Sequence, residues 1–253
     1  MKKIKGFYII FLIIILWFIV CKLNLFSSYI LPSPKMVFKS FLDLCKNGSL
    51  VSDVLISLFR VFLGFFLSAL LAIPLGVLFG VKPKLYDYFK TLFEFLRNTP
   101  PLALIPMLIL WFGIGETSKI IVIILASFFP IFLNTLDGIK NCDKKLIEVG
   151  LAFKLSKEDL LRKIIFPSSI SNILVGLRLG LGYSFRAIIG AEMIASSSGL
   201  GYLILNAKAL SRSSEVIVGI IVIGLLGIIT DFLFKIISKK LTKKFGGNTY
   251  EFK

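Results

Sequence analysis

The sequence predicts an all-α integral membrane protein of six spanning helices, and three observations predict it. Hydrophobic residues make up 57% of the 253 and mean hydropathy is +0.91, so too few polar side chains remain to cover the chain in water. The apolar residues gather into runs of span length, about 6–21, 61–81, 99–113, 120–136, 170–195 and 216–237, within a single domain covering 1–253. The basic residues sort onto one side: a cytoplasmic N-terminus puts 20 lysines and arginines inside and 6 outside. That bias orients the chain with both termini in the cytoplasm. The net charge of +16 then reflects topology, and nucleic-acid binding is excluded as its cause.

The first run, "MKKIKGFYIIFLIIILWFIVC", has a basic start and an apolar middle. No A-x-A-like cleavage site follows, so it reads as an uncleaved first span. Pro32, Pro34 and the "NGS" at 47–49 bracket a short external amphipathic segment that is expected to rest on the membrane, the alternative being contact with an external partner protein. The second span follows Arg60. The third carries Pro100, Pro101 and Pro106 and is short enough for either a re-entrant loop or a kinked span. A re-entrant loop would put the seven basic residues of 138–167 outside, so a kinked span is expected.

The fifth span holds Arg178, Arg186 and Glu192, and Asp231 interrupts the sixth. Gly76, Gly80, Gly176, Gly180, Gly182, Gly224 and Gly227 read as close-packing positions between helices. The basic tail from residue 238 onward is expected at the inner leaflet. Cys21, Cys45 and Cys142 lie far apart and histidine is absent, which leaves no metal site and no disulfide framework. No G-x-x-x-x-G-K-[ST] run cradles a phosphate and no nucleophile–base set appears, so the chain is expected to carry neither a cofactor nor a catalytic residue.

The loop 138–167 is the longest inside segment, and "EVGLAFKLSKEDLLRKIIFP" (148–167) is its most ordered part. Ile147, Leu151 and Leu155 recur every four residues, and Leu160, Leu161, Ile164 and Ile165 follow after an offset. Ser156 three residues before Asp159 starts a new helix, whose exposed amides the hydroxyl and the carboxylate can satisfy. The spacing predicts two short helices with a turn near Leu155, and Pro167 a bend into the fifth span.

These residues resemble the cytoplasmic signature of the permease subunits of bacterial ABC importers: E-A-A, three residues, G, nine residues, I-x-L-P. Glu148, Ile164 and Pro167 match in register, whereas Val149, Gly150, Lys154 and Phe166 depart. Lys154 stands where the family has a glycine suited to a left-handed turn, at a cost of roughly 1 kcal/mol. The resemblance extends over "LPSP" (31–34), "SLFRVFLGF" (57–65), "IPLGVLFG" (73–80), "PPLALIPMLILWFGIGETSKI" (100–120), "FFPIFLNT" (128–135), "GLRLGLG" (176–182) and "AEMIASSSGLGYLI" (191–204). It is closest to the nitrate, sulfonate, taurine and thiamine-precursor subfamily.

The resemblance implies the type I ABC importer fold with a cytoplasmic coupling-helix loop, in a bacterial inner membrane. It implies a second permease copy, a cytoplasmic ATPase dimer that holds ATP and magnesium, and an external solute-binding protein that delivers the substrate. Glu148, Gly150, Leu151, Lys154, Leu155, Ser156, Ile164 and Pro167 would then couple the ATPase to the spans. Arg178 is expected to pair with backbone or with the coupling element. Arg186 is a candidate for an anion pathway or for an ion pair with Glu192, Asp231 or Asp137. Glu192, beside small serines and glycines, is a close-packing position or a substrate contact. A secondary transporter is the rival class, but the proline-rich third span has no counterpart in the C-terminal half.

Overall fold

The apolar runs form helices that continue past the runs, because a helix satisfies its own backbone whether or not its last turns are apolar. The computed structural model describes residues 2–244. It contains α1 (Lys2–Lys22), α2 (Pro34–Lys46), α3 (Ser49–Val81), α4 (Pro83–Asn98), α5 (Ile105–Phe112), α6 (Glu116–Lys140), α7 (Lys144–Ala152), α8 (Lys157–Leu160), α9 (Phe166–Ala195), α10 (Leu200–Ala209) and α11 (Ser213–Lys244), with no strand among the described residues. The part of the basic tail from residue 245 onward lies outside the described residues.

Helix α6 is the axis of the bundle, and glycines fix its neighbours' registers. A Cβ on Gly64, Gly76 or Gly80 would fall 2.6–2.7 Å from Ile123, Thr135 or Ile139. The constant offset means that α3 runs parallel to α6. On the other side, Gly180 meets Ile131, Gly176 meets Asn134, and Gly138 meets Asn172, a descending pairing that makes α9 antiparallel. Close backbone approach of this kind replaces the hydrophobic drive that lipid does not supply. The packing expected of Gly76, Gly80, Gly176 and Gly180 is present. At Gly182, Gly224 and Gly227 it is not: nothing lies within 4 Å of their Cβ positions, and Gly182 and Gly227 instead line an open groove between α9 and α11.

Parallel α3 and α6 force the chain between them to return along the bundle. In this register the start of α6 lies some 24 residues above Val81, or ~36 Å of helix. The return climbs along α6 step by step. Lys140 Nζ sits 4.2 Å over the Tyr86 ring, Phe93 packs 5.0 Å from Phe132, and Ile105 and Leu108 share a core with Val122, Ala187 and Ala191. The helical return along α6 therefore takes residues 83–112, a longer segment than the apolar run 99–113. It is made by two helices bent by 83°, since Thr99 and Pro100 are extended (ψ 119° and 122°). A residue before proline is driven out of the α region, and two prolines in succession remove two amide donors.

By length and composition alone, α3, α6, the continuous helix Lys157–Ala195 and α11 are long and apolar enough to cross a membrane, which makes four such helices, or five if the bent pair is one span. The apolar stretch Phe11–Lys22 within α1 is shorter. Trp17 Nε1 donates to the Pro32 carbonyl at 3.2 Å, which ties α1 to the start of α2. The short segment between the prolines and Asn47 is a helix, α2, and buries Val37 and Leu44 in a core with Leu50, Leu200, Leu203, Val218 and Val222.

Candidate functional site

At the end of the bundle where α3 and α6 finish, α7 and α8 form an elbow. Asp143 caps α7, accepting from the Lys145 amide at 2.9 Å. Ser156 Oγ accepts from the Asp159 amide at 3.1 Å and donates to its carboxylate, also at 3.1 Å, so the expected cap is present, with the carboxylate bonded to Ser156 itself. Between them the chain closes in a Schellman turn: the Leu155 amide donates to Gly150 O (3.1 Å) and the Lys154 amide to Leu151 O (2.9 Å). Lys154 takes the left-handed conformation, φ 54°, which glycine adopts without a Cβ penalty. Lys154→Gly is therefore expected to raise thermal stability by about 0.5–1 kcal/mol; an unchanged or lowered melting temperature would contradict that strain.

Two expectations for this element are corrected. The second helix is not short and separate: α8, a π-helical turn over Leu161–Ile165 and α9 run on as one helix, Lys157–Ala195. Pro167 does not bend it, because the wider turn just before it accommodates a ring that would otherwise press on the carbonyl four residues back. The apolar face is also shared differently. Ile147 and Leu155 are half-buried, and buried Gly150 sits against Leu160 and Ile164, where a Cβ would fall 2.6 Å from each side chain. Leu146, Val149, Leu151 and Phe153 stay exposed, Phe153 at 78%. The elbow is thus locked to α9 along one edge, and its free surface carries these four apolar side chains among charged ones such as Lys145 and Glu148.

A second feature lies between α9 and α11. A groove of about 490 Å³ is lined by Arg178, Gly182, Arg186, Thr230 and Asp231, and it adjoins one of about 410 Å³ that shares all of these but Thr230 and adds Tyr183. Arg178 Nε donates to Asp231 Oδ1 at 2.6 Å and Nη2 to Oδ2 at 3.1 Å. Its partner is therefore α11 and neither backbone nor the elbow, contrary to expectation. Lys235 shares the same carboxylate at 3.0 Å. Arg186 has no carboxylate partner among the described residues and lies over the Tyr183 ring, 5.4 Å from its centroid. The ion pairs weighed for it are not made: Asp231 is engaged with Arg178, and Glu192 with Arg60.

Glu192 belongs to a third cluster, at the far end of the bundle. It is 0% exposed and does not line the groove. Arg60, 2% exposed, donates Nη1 to it at 2.8 Å and holds Glu116 with Nε and Nη2, both at 2.6 Å. Ser57 Oγ and the Gly201 amide complete the Glu192 shell at 2.8 and 2.9 Å. Gly199, at φ 104°, passes so close that a Cβ there would fall on the carboxylate, and its amide donates to Asp53 at 2.7 Å. Sequence reasoning placed Arg60 only at the edge of a span. The available signal was three charges, on three apolar helices, that register brings to one level.

Comparisons with known proteins agree with this geometry. Residues 72–243 match the family of binding-protein-dependent transport system inner membrane components. The SsuC permease protein of Bacillus subtilis, named for aliphatic sulfonates transport, is 37% identical over 98% of this chain and 89% of its own length. The taurine transport system permease protein TauC of Escherichia coli is 32% identical over 89% of this chain and 84% of its own. The MetNI methionine ABC transporter, solved in inward-facing conformations, has the same fold: a TM-score of 0.68 over 77% of this chain and 96% of that one, at 18% identity. This chain belongs to the inner-membrane permease family of binding-protein-dependent ABC transporters.

Proposed function

We propose that the chain is the permease of an ATP-driven importer for a small anionic solute of the sulfonate, taurine or nitrate type, delivered by an external binding protein. It crosses the membrane six times: α1, α3, the bent pair α4–α5, α6, α9 and α11, with both termini and the elbow in the cytoplasm. Both relatives above are named for sulfonate-bearing solutes, which supports that class. ATP and magnesium are held by a separate cytoplasmic ATPase dimer. Two permease copies enclose the path, and the open face of α11 at Gly224, which lines neither groove, has room for a second copy.

The observation that carries this reading is the elbow. Leu146, Val149, Leu151 and Phe153 are exposed on a helix outside the apolar bundle, where water gives them no reason to be apolar and a partner groove does. Because Gly150 clamps α7 to Leu160 and Ile164, a push on the elbow moves α8 and α9 as one body. The test is Val149→Asp together with Phe153→Asp. Carrying two carboxylates into an apolar groove costs several kcal/mol, on the order of a thousandfold or more in affinity, so the ATPase is expected to be lost on purification while the permease stays folded. Undiminished co-purification and ATP-driven uptake in that variant would remove the coupling role.

A further inference from the structure

The geometry points to a binding station for a small oxyanion at Arg186, in the α9–α11 groove, on the translocation path; this inference rests on the permease reading above. Three cations and one carboxylate meet here: Arg178 and Lys235 share Asp231, and Arg186 has no counter-charge among the described residues. The groove therefore carries an excess of positive charge. A guanidinium facing lipid at this depth is strongly disfavoured, so the space in front of it is wet. A narrow wet space with one sign of charge and apolar walls concentrates the opposite ion.

The local chemistry narrows the ligand. Arg186 is exposed and Tyr183 is 45% exposed, and the Tyr183 ring beneath the guanidinium limits how the fork can turn. A fixed guanidinium fork pairs two oxygens of one ligand at once, which suits a sulfonate, sulfate or nitrate group better than a halide. Gly182, with nothing within 4 Å of its Cβ position, leaves the approach open. Arg186 lies six residues below Glu192, ~9 Å along α9. That depth separates it from lipid phosphates and favours a solute. Arg178 stands eight residues further on, ~12 Å deeper, a second cation in the inward direction whose Asp231 partner restrains it from holding an anion tightly.

The test uses the permease assembled with its ATPase in lipid vesicles. A Tyr183→Cys thiol is titrated with two reagents of opposite charge, 2-sulfonatoethyl and 2-(trimethylammonio)ethyl methanethiosulfonate, with rates normalised to a free thiol in solution. The protein retaining Tyr183 supplies the background from Cys21, Cys45 and Cys142. With Arg186 intact the sulfonate reagent is expected to be favoured about tenfold, the effect of one unit charge a few ångströms away in a hydrated cavity. Adding Arg186→Gln should remove the preference and Arg186→Lys should keep most of it. Parity with Arg186 intact, or a preference unchanged by Arg186→Gln, overturns the site.

Should Arg186→Gln fail to assemble, salt decides in the intact background. At 1 M the screening length is about 3 Å, so the preference must collapse; one that survives is not electrostatic and also overturns the site. The permease reading fails separately: vesicles holding the wild-type permease, ATPase and binding protein would show no ATP-dependent uptake of taurine or ethanesulfonate, whatever the labelling preference.

Discussion

Arg60→Met is expected to lower stability by about 3–5 kcal/mol, the range found when one partner of a buried ion pair is removed. Methionine fills much of the arginine's space, so the loss measures charge and not a cavity. It leaves Glu192, at 0% exposure, with the Ser57 hydroxyl and the Gly201 amide but no cation, and it frees the N-terminal turn of α6, where Glu116 retains only Lys119 at 2.9 Å. Because Glu116 is 56% exposed, its half of the network contributes the smaller share. In detergent the fall in melting temperature should be on the order of 10 °C. Adding Glu192→Gln to the same chain removes the stranded charge and should recover more than half of the loss. An Arg60→Met protein that melts with the wild type, or a double variant worse than the single, would show that this cluster does not hold α3, α6 and α9 together.

The second large effect is steric. Gly76→Leu and Gly176→Leu each add a side chain where no space exists: at Gly76 the Cβ alone lies 2.7 Å from Thr135 Cβ and 3.0 Å from the Phe132 carbonyl oxygen, and at Gly176 it lies 3.0 Å from the Pro130 carbonyl oxygen and 3.2 Å from Ile131 Cα. Backbone atoms cannot rotate away, so the helices must separate. Each change should cost about 1–3 kcal/mol or more. The two press on α6 from opposite sides over the same two turns, so their effects should couple. Gly224→Leu is the control, with nothing within 4 Å, and should leave the folding of a single chain unaffected. Equal losses at Gly76 and Gly224 in thermal unfolding would refute the register derived from the glycine contacts.

Much of this architecture is legible in the sequence because a membrane imposes two strong local rules. A backbone in lipid must satisfy its own hydrogen bonds, so an apolar run such as 61–81 has to be helix. Charge is sorted across the bilayer, so the lysines around 138–167 are the basis for expecting that loop in the cytoplasm. The Ser156 cap and the turn before it also follow from local chemistry, since Ser156 and Asp159 lie three residues apart and the left-handed residue is set by α7's own carbonyls. Even the departure at Lys154 did not move the turn, because two backbone hydrogen bonds outweigh one Cβ penalty.

What the sequence left undecided concerns distances between helices. Nothing local says that Arg60, Glu116 and Glu192 lie at one level; that follows from the parallel register of α3 and α6 and the antiparallel register of α9, which glycine contacts set. Nor does a run of prolines at 100–106 reveal that the helical return along α6 begins at Pro83. The aromatic residues of α4 have a purpose only once Phe79 and Phe132 face them. Pairing Arg178 with Asp231, and so leaving Arg186 without a counter-charge among the described residues, was likewise a tertiary decision. An ion pair is made by whichever groups packing brings within reach, and packing depends on helix registers that composition and periodicity do not encode.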